Sequence, residues 1–545
     1  MSVSTMQRIK SGFAGRAIAR SGVAIAASLM VGLTAMAELR LPAIFTDHGV
    51  LQRHEAIPVW GWAEPGEMVT VSLNGASASA MATDSGRFLV HLPEQSAGGP
   101  YEMTINGSQS DAITRSDILI GDVWVCSGQS NMQWSIRNSN NPDEEIANAS
   151  HPNLRIISIP LKVSTEPQAD ADARWAVSSP ESIPNFSAVG YFFGRRLQSE
   201  LNVPIGLINT SYGGSAAEAW LRIGTLKAET SLEPLLSRWD TNIANWDAAE
   251  ANQRYERQLA QWEERAAAAR EAGNNVPNRP RRPQPPTASN HMPAGLYNAM
   301  VHPLLPYAAK GVIWYQGESN AGRARQYRTI MPLLIEEWRD LFRDDSLPFY
   351  QVQLANFQAR ADQPGDSAWA ELREAQLYAT QTLPNSDMAV IIDIGDAGDI
   401  HPRNKQDVGY RLAQLALAHD YGHPIVPSGP IYSGMSKSGN AITLEFDRVG
   451  AGLVAMDPRD DGLPPVSMAE RLVGFSIAGE DREFVWAEAR IEGDRVVVSS
   501  PSVSNPVAVR YGWANNPQVN LYNKDGLPAT PFRTDRFPGV TDNNN

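Results

Sequence analysis

The chain has 545 residues, 42% of them apolar and 19% charged, with a formal net charge of −14. That length exceeds one hydrophobic core, so two to four domains are expected, and the absence of long single-sign blocks argues against general disorder. The acidic balance repels nucleic acid phosphates, and a single cysteine, Cys126, excludes an intramolecular disulfide and a cysteine-based metal site.

Residues 1–37 carry Arg8, Lys10, Arg16 and Arg20 and no acid, with an apolar run over 22–36 and the small-x-small sequence Ala35-Met36-Ala37. That order of features predicts a signal peptide. The run is shorter than the ~20 residues a membrane span needs. The mature protein is therefore expected to begin near Glu38, exported to the periplasm or beyond and free of the membrane.

Residues 38–117 read as a small β-sandwich. Ile57-Pro58-Val59-Trp60-Gly61-Trp62 and Val69-Thr70-Val71-Ser72-Leu73 alternate with period two, and turn formers such as Asn74-Gly75 and Asp84-Ser85-Gly86 separate the runs. From 118 to about 425 the texture changes. Short apolar runs at 118–126, 154–159, 205–209, 312–315, 350–354 and 388–392 predict strands. Helical spacing lies between them, as in Val189, Phe192, Phe193 and Leu197, or Val408, Leu412 and Leu415. Alternating β and α segments predict an α/β domain, a parallel sheet with helices on both faces. Ligands of such sheets bind beyond the carboxyl ends of the strands, so 128–132, 210–214 and 316–320 are expected along one rim. A helical insertion over about 228–286, with Trp239, Trp246 and Trp262, is expected to pack on the surface. Period-two texture returns after 425, so a second β-sandwich over 426–545 is expected.

The strongest chemical signal is Val125-Cys126-Ser127-Gly128-Gln129-Ser130-Asn131-Met132, a strand that runs into a glycine turn with a serine at its crest. A serine nucleophile needs a base and donors for the developing oxyanion. Two further strand ends offer them. Trp314-Tyr315-Gln316-Gly317-Glu318-Ser319-Asn320 is rich in amides, and Asp393-Ile394-Gly395-Asp396-Ala397-Gly398-Asp399-Ile400-His401-Pro402 joins carboxylates to a histidine. Together they form a hydrolase constellation. Cys126, on the strand itself, is expected to be a buried structural thiol. Glu318 lacks a partner carboxylate for glycosidase chemistry, so a hydrogen-bonding role is expected for it. The scattered His48, His54, His91 and His151 suggest no metal site.

At these motifs the sequence resembles the sialate O-acetylesterase type of SGNH (GDSL-like) hydrolases. Gly128-Gln129-Ser130-Asn131-Met132, the Trp314–Asn320 block and Ile400-His401-Pro402 stand in that family's order, and Leu296-Tyr297-Asn298-Ala299-Met300 is similar to a further landmark. The resemblance implies a flavodoxin-like SGNH core flanked by the two β-sandwiches. It implies Ser130 as nucleophile and His401 as general base, with no metal and no cofactor. It also implies an oxyanion hole made of the Ser130 amide, a Gly213 or Gly214 amide, and the Asn320 or Gln316 side chain. Gln129, Glu318 and Asn298, each inside a matched block, are expected to contact substrate.

The family acid commonly stands three residues before the histidine, where this chain has Gly398. Asp399 is the nearest carboxylate, and residues two apart in an extended loop point to one side. It is the expected acid, with Asp393 and Asp396 as rivals. The implied substrate is an acetylated carbohydrate, either sialic acid O-acetyl esters or a hemicellulose such as xylan or xyloglucan. The rival class is a non-catalytic carbohydrate-binding protein with an inert core, which would have no need of a Ser130–His401 pair.

Overall fold

One strand ties the first half of the molecule together. Strands β1 (Val50–Gln52), β2 (Ile57–Trp62), β3 (Met68–Leu73), β4 (Ala76–Met81), β5 (Arg87–Leu92) and β6 (Gly98–Gly107) precede the 16-residue β7 (Ile113–Gly128). In β7, residues 113–117 alternate between half-buried and exposed, whereas 118–128 are all buried. The first pattern belongs to an antiparallel edge against β6, the second to a central parallel strand covered on both faces. The domain boundary expected at 117 therefore falls inside a continuous strand. Asp117 sits at φ 53° at the change. Its carboxylate takes two hydrogen bonds from Arg155, at 2.7 and 3.1 Å, and lies 2.6 Å from His48 Nδ1. In the amino-terminal part, β3 pairs with β4 and β6, and β2 pairs with β5. Val59 and Val90 of the second pair share a core with Val69, Val71 and Ile105.

The structure, a computed structural model, describes residues 38–544; the expected signal segment lies outside the described residues. After β7 come β8 (His151–Ser158), β9 (Ala176–Ser178), β10 (Ile205–Ser211), β11 (Gly311–Tyr315), β12 (Phe349–Val352) and β13 (Ser386–Ala389). They form a sheet in the order β13-β12-β11-β7-β10-β8-β9, parallel except for β9. Alternation along the central strands sorts the two cores. Val123, Val125, Val312 and Trp314 face the helices Ala324–Phe342 and Ala368–Thr382, while Trp124, Cys126, Ile313 and Tyr315 face Ala188–Leu201 and Lys405–His419. Cys126 is fully buried on this second side, and burial pushes its thiol far above its usual range.

The insertion holds two helices, Glu233–Ala244 and Ala248–Glu271, of which only Leu235 and Ala266 are buried. It packs at the surface. The carboxyl-terminal part has two four-stranded antiparallel sheets. One contains Ile431–Ser438, Ala441–Asp447, Arg495–Ser499 and Glu488–Glu492, and the other contains Val485–Trp486, Phe475–Ala478, Ala508–Tyr511 and Phe532–Arg533. Their apolar faces share a core with Met388, Val390 and Ile392 beside β13. The fully buried Arg373 bolts this part to the α/β region: its guanidinium donates to the carbonyls of Leu354, Ala355, Ala514 and Asn515. With no carboxylate beside it, burial pushes Arg373 down to about 9.

Candidate active site

Strand β7 ends at Gly128, whose φ is 133° and whose place a Cβ could not share: it would lie 2.2 Å from the Tyr315 carbonyl oxygen on β11. This close approach lets the chain turn at once into the one-turn helix Ser130–Gln133. Ser130 begins that helix, so its N–H has no intrahelical partner.

The loop 390–404 after β13 brings His401 to Ser130. The Nε2 of His401 lies 2.8 Å from Ser130 Oγ across 271 residues of sequence. Asp399 Oδ1 is 3.4 Å from Nδ1 of His401 and also accepts its backbone N–H at 2.8 Å. The two rival aspartates are engaged elsewhere. Asp393 is paired with Arg411 at 2.6 and 2.7 Å and takes the Tyr522 hydroxyl at 2.9 Å; Asp396 accepts the Gly398 N–H at 2.8 Å. Trp134 stacks on the His401 ring.

A largely buried polar chain lies beneath the pair. Asn131 Nδ2 donates to Glu318 Oε1 at 2.6 Å and to the Ile400 carbonyl at 3.0 Å, and Lys405 Nζ donates to Asn131 Oδ1 at 2.6 Å. The residue after the nucleophile thus grips the residue before the base. Burial pushes Lys405 down to about 7 and raises the Glu318 carboxyl. His401 is lowered from its ordinary value, chiefly by burial; Asp399 opposes that shift and the Lys405 charge adds to it. A lowered imidazole is neutral at rest, as a proton acceptor must be.

Beside Ser130 stands Gly213. A Cβ there would lie 3.5 Å from Ser130 Cβ, but its N–H is already bonded to Gln133 Oε1 at 2.8 Å. The carbonyl of Gly214 is held by His291 Nε2 at 2.6 Å and by the Ser319 hydroxyl at 3.0 Å.

Residues 120–265 and 288–418 match the family described as carbohydrate esterase, sialic acid-specific acetylesterase. The chain belongs to that family. Its relatives include the mouse sialate O-acetylesterase, 30% identical over 94% of this chain and 97% of the relative. The human sialate O-acetylesterase is 28% identical over 92% and 94%. A crystal structure of a carbohydrate acetylesterase from Xanthomonas citri is 38% identical and superimposes with a TM-score of 0.75, covering 92% of this chain and 100% of that one. The protein is an ester hydrolase of the carbohydrate-deacetylating class. The gap between the two matched stretches falls in the surface insertion.

Five expected site residues of this esterase prove to be bonded to its own loops. Asn320 is buried; its amide nitrogen donates to Glu218 at 2.8 Å and its oxygen accepts from Ala217 N at 3.0 Å and Gln316 at 2.7 Å. Gln316 is also buried and spends its N–H groups on Asn320 and on the Ser215 carbonyl at 3.1 Å. Neither offers a donor to an oxyanion as placed. Of the residues expected to contact substrate, the buried Gln129 accepts the N–H groups of Gly317 (3.4 Å) and Ser319 (3.3 Å), the half-buried Glu318 accepts from Asn131, and the buried Asn298 ties down the Ser164 carbonyl at 3.1 Å. Buried amides must find partners, and here the partners are the loops that carry the site. Asn131 stands in the Ser130 motif without an assigned role, and three further site neighbours escaped the sequence reading: Gln133, Trp134 and Lys405. Gln133 and Trp134 had a signal, since they lie three and four residues after Ser130, on the same side of any helix begun there.

Proposed function

We propose that this esterase is an exported SGNH-type hydrolase that removes O-acetyl groups from carbohydrate through an acetyl-Ser130 intermediate. The observation that carries the reading is the 2.8 Å contact between Ser130 Oγ and His401 Nε2. The neutral imidazole takes the serine proton as Oγ attacks the acetyl carbonyl. The tetrahedral oxyanion forms against the Ser130 N–H, which begins the Ser130–Gln133 helix and has no intrahelical partner. His401 then gives its proton to the departing sugar hydroxyl. In the second half it activates water, which attacks the acetyl-serine and frees acetate. Asp399 orients the imidazole from its Nδ1 side.

Of the two sugar classes, O-acetylated sialic acid is the better supported, because the matched family and the mouse and human relatives are named for it. The test is acetate release from a panel of O-acetyl sialic acid, acetylated xylan and acetylated xyloglucan, with 4-nitrophenyl acetate as the reporter of bare esterase activity. Release from the sialic acid ester, lost in Ser130→Ala, is the expected result. Release from the hemicelluloses alone moves the substrate to plant polysaccharide. No turnover of any ester by the folded chain leaves the carbohydrate-binding reading instead.

A further inference from the structure

A cavity of about 610 Å³ lies in the carboxyl-terminal β region, and none of its lining residues belongs to the Ser130 site. Residues 486–490 all line it; Trp486, Glu488 and Arg490 are exposed and alternate with the half-buried Ala487 and Ala489. Three side chains therefore project from one face of an extended segment. Trp486 is 45% exposed, yet its indole Nε1 donates to the Asp362 carbonyl at 2.9 Å. The ring is held in one orientation with much of its surface uncovered.

The lining also includes Arg360, from the segment between β12 and the Ala368–Thr382 helix. That segment leaves the carboxyl end of β12, on the rim of the sheet that also carries Ser130. Asn516, also in the lining, accepts from Asn356 Nδ2 at 3.0 Å, and Asn356 Oδ1 accepts the Gly395 N–H at 2.7 Å. Two hydrogen bonds thus join the cavity wall to the loop that holds Asp399 and His401.

Charge narrows the class of ligand. Arg360, Arg471 and Arg490 line the cavity against Glu488 alone, in a chain whose net charge is −14. Arg360 is paired with Asp460 and Arg490 with Glu492, both at the exposed surface, while Arg471 is exposed and enters no ion pair among the described residues. Exposed pairs are worth little and exchange readily. A guanidinium takes a carboxylate through two parallel hydrogen bonds. A sugar ring offers an apolar face to an indole and hydroxyls to the exposed Gln518 and Glu488. The volume suits one or two sugar units, within the ~300–1,000 Å³ of small-molecule sites.

We propose that this cavity is a second glycan-binding site, selective for a sugar that bears a carboxylate. The proposal rests on the carbohydrate-esterase reading and adds a place where an acidic glycan is held outside the catalytic centre. The test uses the full-length chain with Ser130→Ala, titrated calorimetrically with sialyllactose, lactose and a neutral xylo-oligosaccharide. Sialyllactose is expected to bind at least tenfold more tightly than either neutral sugar. Trp486→Ala and Arg471→Met are each expected to weaken it tenfold or more, and to leave 4-nitrophenyl acetate turnover unchanged when Ser130 is present. Arg471 is exposed, so its variant carries the test if Trp486→Ala disturbs the fold. Unchanged sialyllactose binding in the folded Arg471→Met chain overturns the site. Equal binding of the neutral xylo-oligosaccharide, lost in the same variants, overturns the carboxylate selectivity. An inactive parent chain would instead overturn the esterase reading, whatever the titrations show.

Discussion

The indole of Trp134 lies flat against the imidazole of His401, with ring centroids 4.8 Å apart and planes 9° from parallel. The indole is fixed from behind, since its Nε1 donates to the Asn138 carbonyl at 2.9 Å. An indole face attracts a cation, and the attraction is worth about 0.5–2 kcal/mol. His401 is a cation only while it holds the serine proton, so the stack acts chiefly in the transition state. Trp134→Ala is expected to lower kcat by roughly 10-fold with KM little changed, because about 1.4 kcal/mol is tenfold in rate. Trp134→Phe should recover part of the loss. A steady-state comparison of the three chains checks this. A change confined to KM would make Trp134 a substrate wall.

A second expectation concerns pH. His401 is lowered by burial and by the Lys405 charge, against the pull of Asp399. The base must be neutral, so activity is lost as pH falls through the His401 value, below its ordinary 6.5. Lys405 is charged below about 7 and therefore throughout that limb. Lys405→Met removes a positive charge and favours the imidazolium, so the acid limb of kcat/KM is expected to move to higher pH. It also frees Asn131 from one of its partners, so kcat at the plateau should fall as well. A pH profile of both chains decides the matter; an unmoved limb would leave Lys405 only a structural role.

Much of this arrangement was legible in the sequence. The six apolar runs became strands β7, β8 and β10–β13, because a run buried on both faces has to be apolar throughout. The Ser130 and His401 motifs met because both follow strands whose carboxyl ends share a rim. The polar residues of the Trp314–Asn320 block misled, because a run of amides after a strand reads the same whether it faces the cleft or ties the loop down. Lys405 and Asn131 are 274 residues apart, and no local pattern announces their contact. Nor did Asp117 look like the middle of a strand, since its left-handed φ is sustained by Arg155 and His48 from other parts of the chain.

The third expectation tests the oxyanion hole. Gln133 Oε1 occupies the N–H of Gly213, the one of the two candidate glycines whose Cβ would meet Ser130. An acetyl oxygen that uses this donor must displace the side-chain carbonyl, and a hydrogen bond of that kind is worth about 0.5–1.5 kcal/mol net. Gln133→Ala is thus expected to raise kcat/KM by up to ~10-fold, the rate equivalent of that bond. Measured on 4-nitrophenyl acetate, a fall of ~10²–10³ in kcat instead would make the Gln133 amide nitrogen itself the side-chain donor to the oxyanion.

The last expectation separates the three aspartates before His401. Neutralising a well-engaged triad acid costs up to ~10⁴ in kcat. Asp399 is less well engaged than that: its oxygen is 3.4 Å from His401 Nδ1, its side chain is 52% exposed, and the same oxygen also holds the backbone N–H of His401. Water competes for an exposed carboxylate and salt screens it. Asp399→Asn is therefore expected to lower kcat by only ~10–100-fold, a fraction of the full triad effect, with the thermal midpoint nearly unchanged. Asp393→Asn should do the reverse. Its partner Arg411 is 6% exposed and would be left as a buried, uncompensated charge, at a cost of about 3–5 kcal/mol. That variant should lose stability and keep its turnover per folded molecule. Asp396→Asn, which alters only a turn bonded to Gly398, should do neither. Kinetics and thermal melts on the three variants give the assignment directly. If Asp399→Asn keeps wild-type kcat, Ser130 and His401 work as a dyad. If Asp393→Asn loses turnover while still folded, the Asp393–Arg411 pair reaches the reaction through the loop it anchors.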